Sequence, residues 1–191
     1  MANSSVIAAV SSTLIARLTT GISDLFTPAA RVALDDLANT PPNDPPLITL
    51  FLYDIVEEAT LRNQGRTSEV VAGRLVERRP PLSLCLHYMV TAWAGDRESE
   101  QQLLGRVMRL LYEDAIIDGP ELLGVLAGTD HELRVSLSTM GLDDRARVWW
   151  AINLPYRLSI NYEVRVVEID TTVIESAVPV RVRDVATGVR R

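Results

Sequence analysis

Lysine does not occur anywhere in the 191 residues, and all nineteen cationic side chains are arginine. A Walker-type lysine is therefore impossible. Neither the G-x-x-x-x-G-K-[ST] nor the G-x-G-x-x-G spacing is present, which leaves nucleotide hydrolysis without its phosphate cradle. The serine elbow G-x-S-x-G is missing as well. One cysteine, Cys85, excludes an intrachain disulfide, a zinc ribbon and a paired redox motif, so a reducing cytoplasm is the expected place of synthesis. Hydrophobic runs are short. Val6 to Val10 is too brief for the core of a signal peptide and has no basic leader, and no stretch approaches the roughly 20 residues of a bilayer span. No membrane partner is expected. Positive charge is also scarce: the formal net charge is -6, and duplex nucleic acid, whose phosphates demand a basic face, is not an expected partner. The scarcity is uneven. Residues 171–191 hold Arg181, Arg183, Arg190 and Arg191 against Glu175 and Asp184, a net +2, so the first 170 residues carry -8.

What the chain does have is apolar periodicity. With 47% hydrophobic and 23% charged residues it has the composition of an ordinary folded domain. Val6, Ile7, Val10, Leu14 and Leu18 share one helical face behind Ser4 or Ser5 as N-cap, and this helix is expected to end near Gly21. Arg31 to Leu37 alternates weakly. Four prolines within residues 39–46 exclude ladder structure and mark a stiff surface connection. Leu47 to Val56 is apolar on both alternating faces, as in a central strand covered on two sides. Residues 57–81 are polar and read as a hairpin tip or variable loop. Leu82 to Trp93 is a long strand. From Asp96 to Asp114, Leu103, Leu104, Val107, Leu110 and Leu111 form the stripe of a helix that docks on the sheet.

Pro120 is placed to open a short helix through Leu126. Glu132 to Thr139 alternates with Leu133, Val135 and Leu137 inward. Asp143 or Asp144 is expected to cap a helix holding Val148, Trp149 and Ile152, stopped by Pro155. Tyr156 to Val166 carries the longest alternation, with one buried and one wetted side predicted, and Val178 to Asp184 is predicted as a last strand. The fold class that follows is a single α/β domain of the α+β kind. Its sheet is mixed, mainly antiparallel, with about five or six strands packed with two or three helices.

Chemistry-bearing constellations are few. Cys85 and His87 share one strand face, as a nucleophile and base or two metal ligands would. A metal needs three or four convergent ligands, however, and His131 is the only other imidazole, so a polar stripe under a helix fits better. The neighbouring acids Glu57 and Glu58, Glu113 and Asp114, and Asp143 and Asp144 point apart on any regular element, which favours capping and solvation over acid–base pairing. Trp149 and Trp150 suggest a contact hot spot, with at least one of them in the core. The residues call for no cofactor and no metal, and they give no catalytic group.

Three stretches carry a resemblance. The first runs from Pro45-Pro46-Leu47 through Leu52-Tyr53-Asp54-Ile55 to Arg62-Asn63. The second runs from Pro80-Pro81-Leu82-Ser83-Leu84 through Tyr88 and Thr91-Ala92-Trp93-Ala94 to Gln102-Leu103-Leu104-Gly105. The third spans Trp149, Leu154-Pro155-Tyr156-Arg157-Leu158-Ser159, Tyr162, Val164, Arg165 and Val166. Together they resemble the N-terminal domain of the cap, or tail-terminator, family of extracellular contractile injection systems of the virulence-cassette and antifeeding-prophage type. The resemblance implies a non-enzymatic subunit of a six-membered ring, seated on the last layer of an inner tube and its sheath, where it stops their polymerisation. Its implied partners are other copies of itself, sheath and tube, and its implied place is the distal end of the particle.

Residues 1–170 would form the cap domain. Residues 171–191 would form an arm whose Arg181, Arg183, Arg190 and Arg191 meet an acidic neighbour, or else an edge strand on the chain's own sheet. A neck or tail-completion protein of a phage tail remains an alternative, as does a small-molecule enzyme using Cys85 and His87.

Overall fold

The computed structural model describes residues 4–62, 67–71, 74–78, 80–169 and 174–176. The helices are α1 (Val6–Ile22), α2 (Ala59–Arg62), α3 (Arg97–Glu113) and α4 (Leu142–Ala151). The strands are β1 (Arg31–Leu34), β2 (Leu47–Glu57), β3 (Thr67–Val71), β4 (Arg74–Arg78), β5 (Leu82–Trp93), β6 (Ile116–Asp118), β7 (Glu132–Leu137), β8 (Ser159–Ile169) and β9 (Ile174–Ser176). Six strands make the main sheet in the order β1-β2-β5-β8-β7-β6, antiparallel except for the parallel pair β1 and β2. A second sheet has the order β3-β4-β9. The mixed, mainly antiparallel α+β fold expected from the sequence is present.

β5 explains the layering. Its twelve residues alternate without interruption, so Leu84, Leu86, Tyr88, Val90 and Ala92 face one side and Met89, Thr91 and Trp93 the other. The first side is covered by α1 and α3. Val6, Val10, Leu14, Leu18 and Ile22 recur every four residues on α1, and Leu103, Leu104, Val107 and Leu111 supply the α3 stripe; all are buried. Asp96 starts α3 by accepting the Ser99 backbone N–H at 2.8 Å. Two buried polar groups on α1 are paired: Ser11 Oγ lies 2.8 Å from Tyr88 Oη, and Thr13 Oγ1 donates to the Ala9 carbonyl at 2.9 Å while accepting from Leu123 N at 3.0 Å.

The other side carries a smaller core of Leu37, Leu47, Met89, Trp93 and Trp149 under α4. Beneath it runs a polar seam of Thr49, Thr91, Ser159 and Asn161, all buried. Thr91 Oγ1 and Asn161 Oδ1 in this seam make no hydrogen bond.

Several expectations need correction. The long alternation becomes strand only at Ser159, and its supposedly wetted residues Ser159 and Asn161 are buried because α4 lies over them. Tyr156 and Leu158 are exposed instead. Leu137 is exposed too, because β6 ends before reaching it. α4 begins after Gly141, so Asp143 and Asp144 occupy its first turn, where acids favour the helix dipole, rather than the cap. It stops at Ala151, followed by Asn153 in the left-handed region (φ 58°), and Pro155 comes later. β2 lies next to the edge strand and is covered on both faces only along Leu47–Leu50. Residues Gly119–Glu121 and Gly124–Leu126 form 3-10 turns in place of the short helix after Pro120. The polar stretch 57–81 does contain a hairpin, β3 with β4, and β4 pairs with β9. The predicted strand Val178 to Asp184 lies outside the described residues.

Candidate assembly surfaces

The structure keeps Cys85 and His87 on the α4-side face of β5. Cys85 is buried, and burial, helped by the nearby Glu163 carboxylate, pushes its thiol above the ordinary value, away from the thiolate a nucleophile needs. His87 stacks at 6.0 Å from the Tyr53 ring in a tilted arrangement. Glu163 beside them is held below the usual carboxylate range, first by its hydrogen bond from Arg165 at 2.8 Å. Among the described residues no group of three or more His, Cys, Asp or Glu side chains is placed to hold a metal.

The adjacent acids turn to different cations. Glu57 meets Arg62 at 3.1 Å, and Glu58 lies 4.0 Å from Arg165. Glu113 accepts from Arg109 at 2.8 Å, Asp114 pairs with Arg17, and Asp144 lies 3.8 Å from Arg147. The pairs of Glu113 and Asp144 lie within their own helices, those of Glu57, Glu58 and Asp114 reach other segments, and none assembles an acid–base pair.

One polar network does join distant elements. Trp93 and Trp149 meet edge to face, 6.4 Å between centroids. Trp93 Nε1 donates to Thr49 Oγ1 at 2.9 Å, and the Arg157 guanidinium lies 4.3 Å above the Trp93 ring. Arg157 also pairs with the largely buried Glu100, which takes a second arginine, Arg97, at 2.7 Å. The segment after α4 is thereby fastened to the first turn of α3. Sequence reasoning saw Trp93 and Arg157 as parts of motifs but missed their partnership, since nothing in one chain's spacing brings residues 64 apart together.

The exposed surface is where apolar side chains collect. Trp150 is 82% exposed on α4, with Leu142, Tyr156 and Leu158 also exposed nearby in sequence. Tyr112, 85% exposed, lines a groove of 490 Å³ between α3 and β7 with Met108 and Leu137. Another groove of 460 Å³, lined by Leu34, Asp35, Asp36, Phe51 and Leu52, lies where β1 stops while β2 continues. Beyond Leu50 no described strand pairs with the outer edge of β2, and Ile55 and Val56 are exposed there. Of the two adjacent tryptophans on α4, Trp149 is core and Trp150 surface, as helical spacing requires. Arg181, Arg183, Arg190 and Arg191, the expected interface cations, lie outside the described residues.

Solved structures that share this fold include the following two. One, described as an extracellular contractile injection system PVC sheath/tube terminator in the extended state, matches with a TM-score of 0.62 and 24% identity, covering 97% of this chain. The other, the anti-feeding prophage cap described as the AFP tube terminating cap, gives a TM-score of 0.55 and 22% identity over 95% of the chain. The chain spans 63% and 60% of the lengths of those two proteins. No curated protein matches it. The model of the Pvc16 N-terminal domain matches residues 9–183, which takes in α1 from its second turn and every other described helix and strand, and the chain therefore belongs to the Pvc16 N-terminal domain family.

Proposed function

We propose that the protein is a non-enzymatic cap subunit that closes the end of the inner tube and sheath of a contractile injection particle and stops their growth. The observation that carries this reading is the agreement of family and fold over nearly the whole chain with a sheath/tube terminator and a tube terminating cap. The chemistry supports it. A cap needs broad complementary surfaces and open strand edges, and this chain exposes Trp150, Tyr112 and the β2 edge while its one thiol is buried and raised. Copies of the chain form a ring, six-membered as the family resemblance implies, and a ring with one polymer-matching face halts growth by lacking a second.

Of residues 171–191, β9 stays paired with β4 of the same chain, and the residues after it act in this reading as an arm, with Arg181, Arg183, Arg190 and Arg191 meeting acidic surface on a neighbour. Each added backbone hydrogen bond nets only about 0.5–1.5 kcal/mol, so one arm binds weakly and ring multiplicity supplies the avidity. The protein is made in the cytoplasm and incorporated at the distal end of the particle. Particles assembled without the chain should show tubes of scattered, excessive length, and the purified chain added back should sediment with tube and sheath and restore a single length. Failure to bind either polymer would remove the cap reading.

A further inference from the structure

Past Leu50 the outer edge of β2 has no strand beside it among the described residues. β1 covers only Leu47–Leu50 of β2, so residues 51–57 keep their outward N–H and C=O groups without a described strand beside them. A row of backbone groups with no described strand beside it, of which the Ile55 N–H is held by Asp54 Oδ1, flanked by exposed Ile55 and Val56, is a template for another strand. Three carboxylates border it: Asp35, Asp36 and Asp54. None of them meets a cation among the described residues, whereas Glu57, Glu58, Glu100, Glu113, Asp114 and Glu163 all do. Among the described residues they accept hydrogen bonds from backbone N–H groups alone, Leu37 to Asp35 at 2.7 Å, Ala38 to Asp36 at 3.0 Å and Ile55 to Asp54 at 2.9 Å. Other acids, Asp44, Asp96, Glu98, Asp118, Asp130 and Asp143 among them, also lack a described arginine partner, but here three such carboxylates gather along one open strand edge and leave it negative.

A bulge between Leu52 and Asp54 sharpens that selectivity. Bulges and charges on an edge strand discourage indiscriminate pairing, so an incoming strand must bring cations to offset the acids. The chain's own sequence contains such a segment over residues 178–184, as many residues as the open stretch 51–57: Val178, Val180 and Val182 alternate with Pro179, Arg181 and Arg183, a proline near the start that an edge strand tolerates, with Asp184 at the end. We infer that the open edge of β2, with Asp36 and Asp54, is the receptor for residues 178–184 of a second copy of this chain. Like-with-like contact is disfavoured, because two acidic edges or two basic segments would repel. The contact is therefore head-to-tail, the kind that closes into a ring. The inference rests on the proposed ring and names the surfaces that build it.

Two charge-reversed chains test it. One carries Asp36→Arg and Asp54→Arg; Asp35 is left intact because it holds the left-handed turn at Leu37. The other carries Arg181→Glu and Arg183→Glu. Light scattering is recorded for each chain alone, for an equal mixture, and for all samples with tube and sheath proteins. Each reversed chain alone should need at least about tenfold higher concentration to oligomerise, while the mixture, in which every contact can again be complementary, should return to the native midpoint. Both variants oligomerising like the native chain would overturn the inference. So would a mixture as dispersed as its components, the result expected if residues 178–184 pair within their own chain. A native chain that stays monomeric both free and on tubes would overturn it too. Because tube and sheath binding is read in the same samples, a native chain that caps while the mixture fails to recover would sink the pairing and leave the cap reading standing.

Discussion

At the scale of single residues, close approach and burial set what can change. Gly21, in the last turn of α1, lies where a Cβ would sit 2.4 Å from Leu110 Cδ1 and 2.7 Å from Leu110 Cδ2 of α3. Gly21→Ala gains up to about 1 kcal/mol of helix propensity but forces Leu110 from its position, an overpacking cost of about 1–3 kcal/mol, so the expected net loss is about 1 kcal/mol. Urea unfolding of Gly21→Ala, Leu110→Ala and the double variant checks this: the double should lose less than the two singles together. Tyrosines give a second test. Burial pushes the phenols of Tyr88 and Tyr162 up to about 12, against the usual value near 10. A raised phenol keeps its proton in the folded chain after the unfolded chain has lost it, so this stability is full below pH 10. It falls by about 1.4 kcal/mol per pH unit for each tyrosine between roughly 10 and 12. Melting temperature against pH should be flat near neutrality with respect to these groups and fall in that alkaline window, less steeply in Tyr88→Phe.

At the scale of elements, the fastening of residues 152–158 turns on Arg157. Arg157→Ala removes the guanidinium from Trp93 and leaves Glu100 with Arg97 alone, and an expected loss of about 2–3 kcal/mol follows from losing the ring contact together with one of the two cations on a largely buried carboxylate. Arg97, mostly exposed, should cost less than about 1 kcal/mol when truncated, and chemical denaturation of the two variants separates these outcomes. The elements also show what periodicity can and cannot reveal. β5 and α3 were legible from end to end because every residue of β5 has a fixed side and α3 has both a capping aspartate and a complete apolar stripe. β6 was not, because three residues paired to β7 hold too little pattern to register. The seam residues Ser159 and Asn161 read as wetted because polarity reports water only when no polar-tolerant helix lies above. Ile55, Val56 and Leu137 read as core because alternation says which way a side chain points and not whether another strand comes alongside. The open β2 edge and the groove between α3 and β7 were invisible for the same reason, each being defined by what stops short of it, whereas Trp150 was legible from its pairing with Trp149.

At the scale of the whole molecule, the two covers of the main sheet are unequal. The α1 and α3 side is held by side chains from both long helices and every strand of the main sheet, while the α4 side rests on Leu37, Leu47, Met89, Trp93 and Trp149 above groups that find no internal partner. Trp149 is the only fully buried residue that α4 contributes. The free energy of opening should therefore differ between the two covers. In deuterated buffer the amides of α4 should exchange well before those of α3 and β5, and at denaturant concentrations too low to unfold the chain. A molecule built this way can yield one lid by partial melting while its spine stays intact, so strain delivered at one end has a predetermined place to be absorbed.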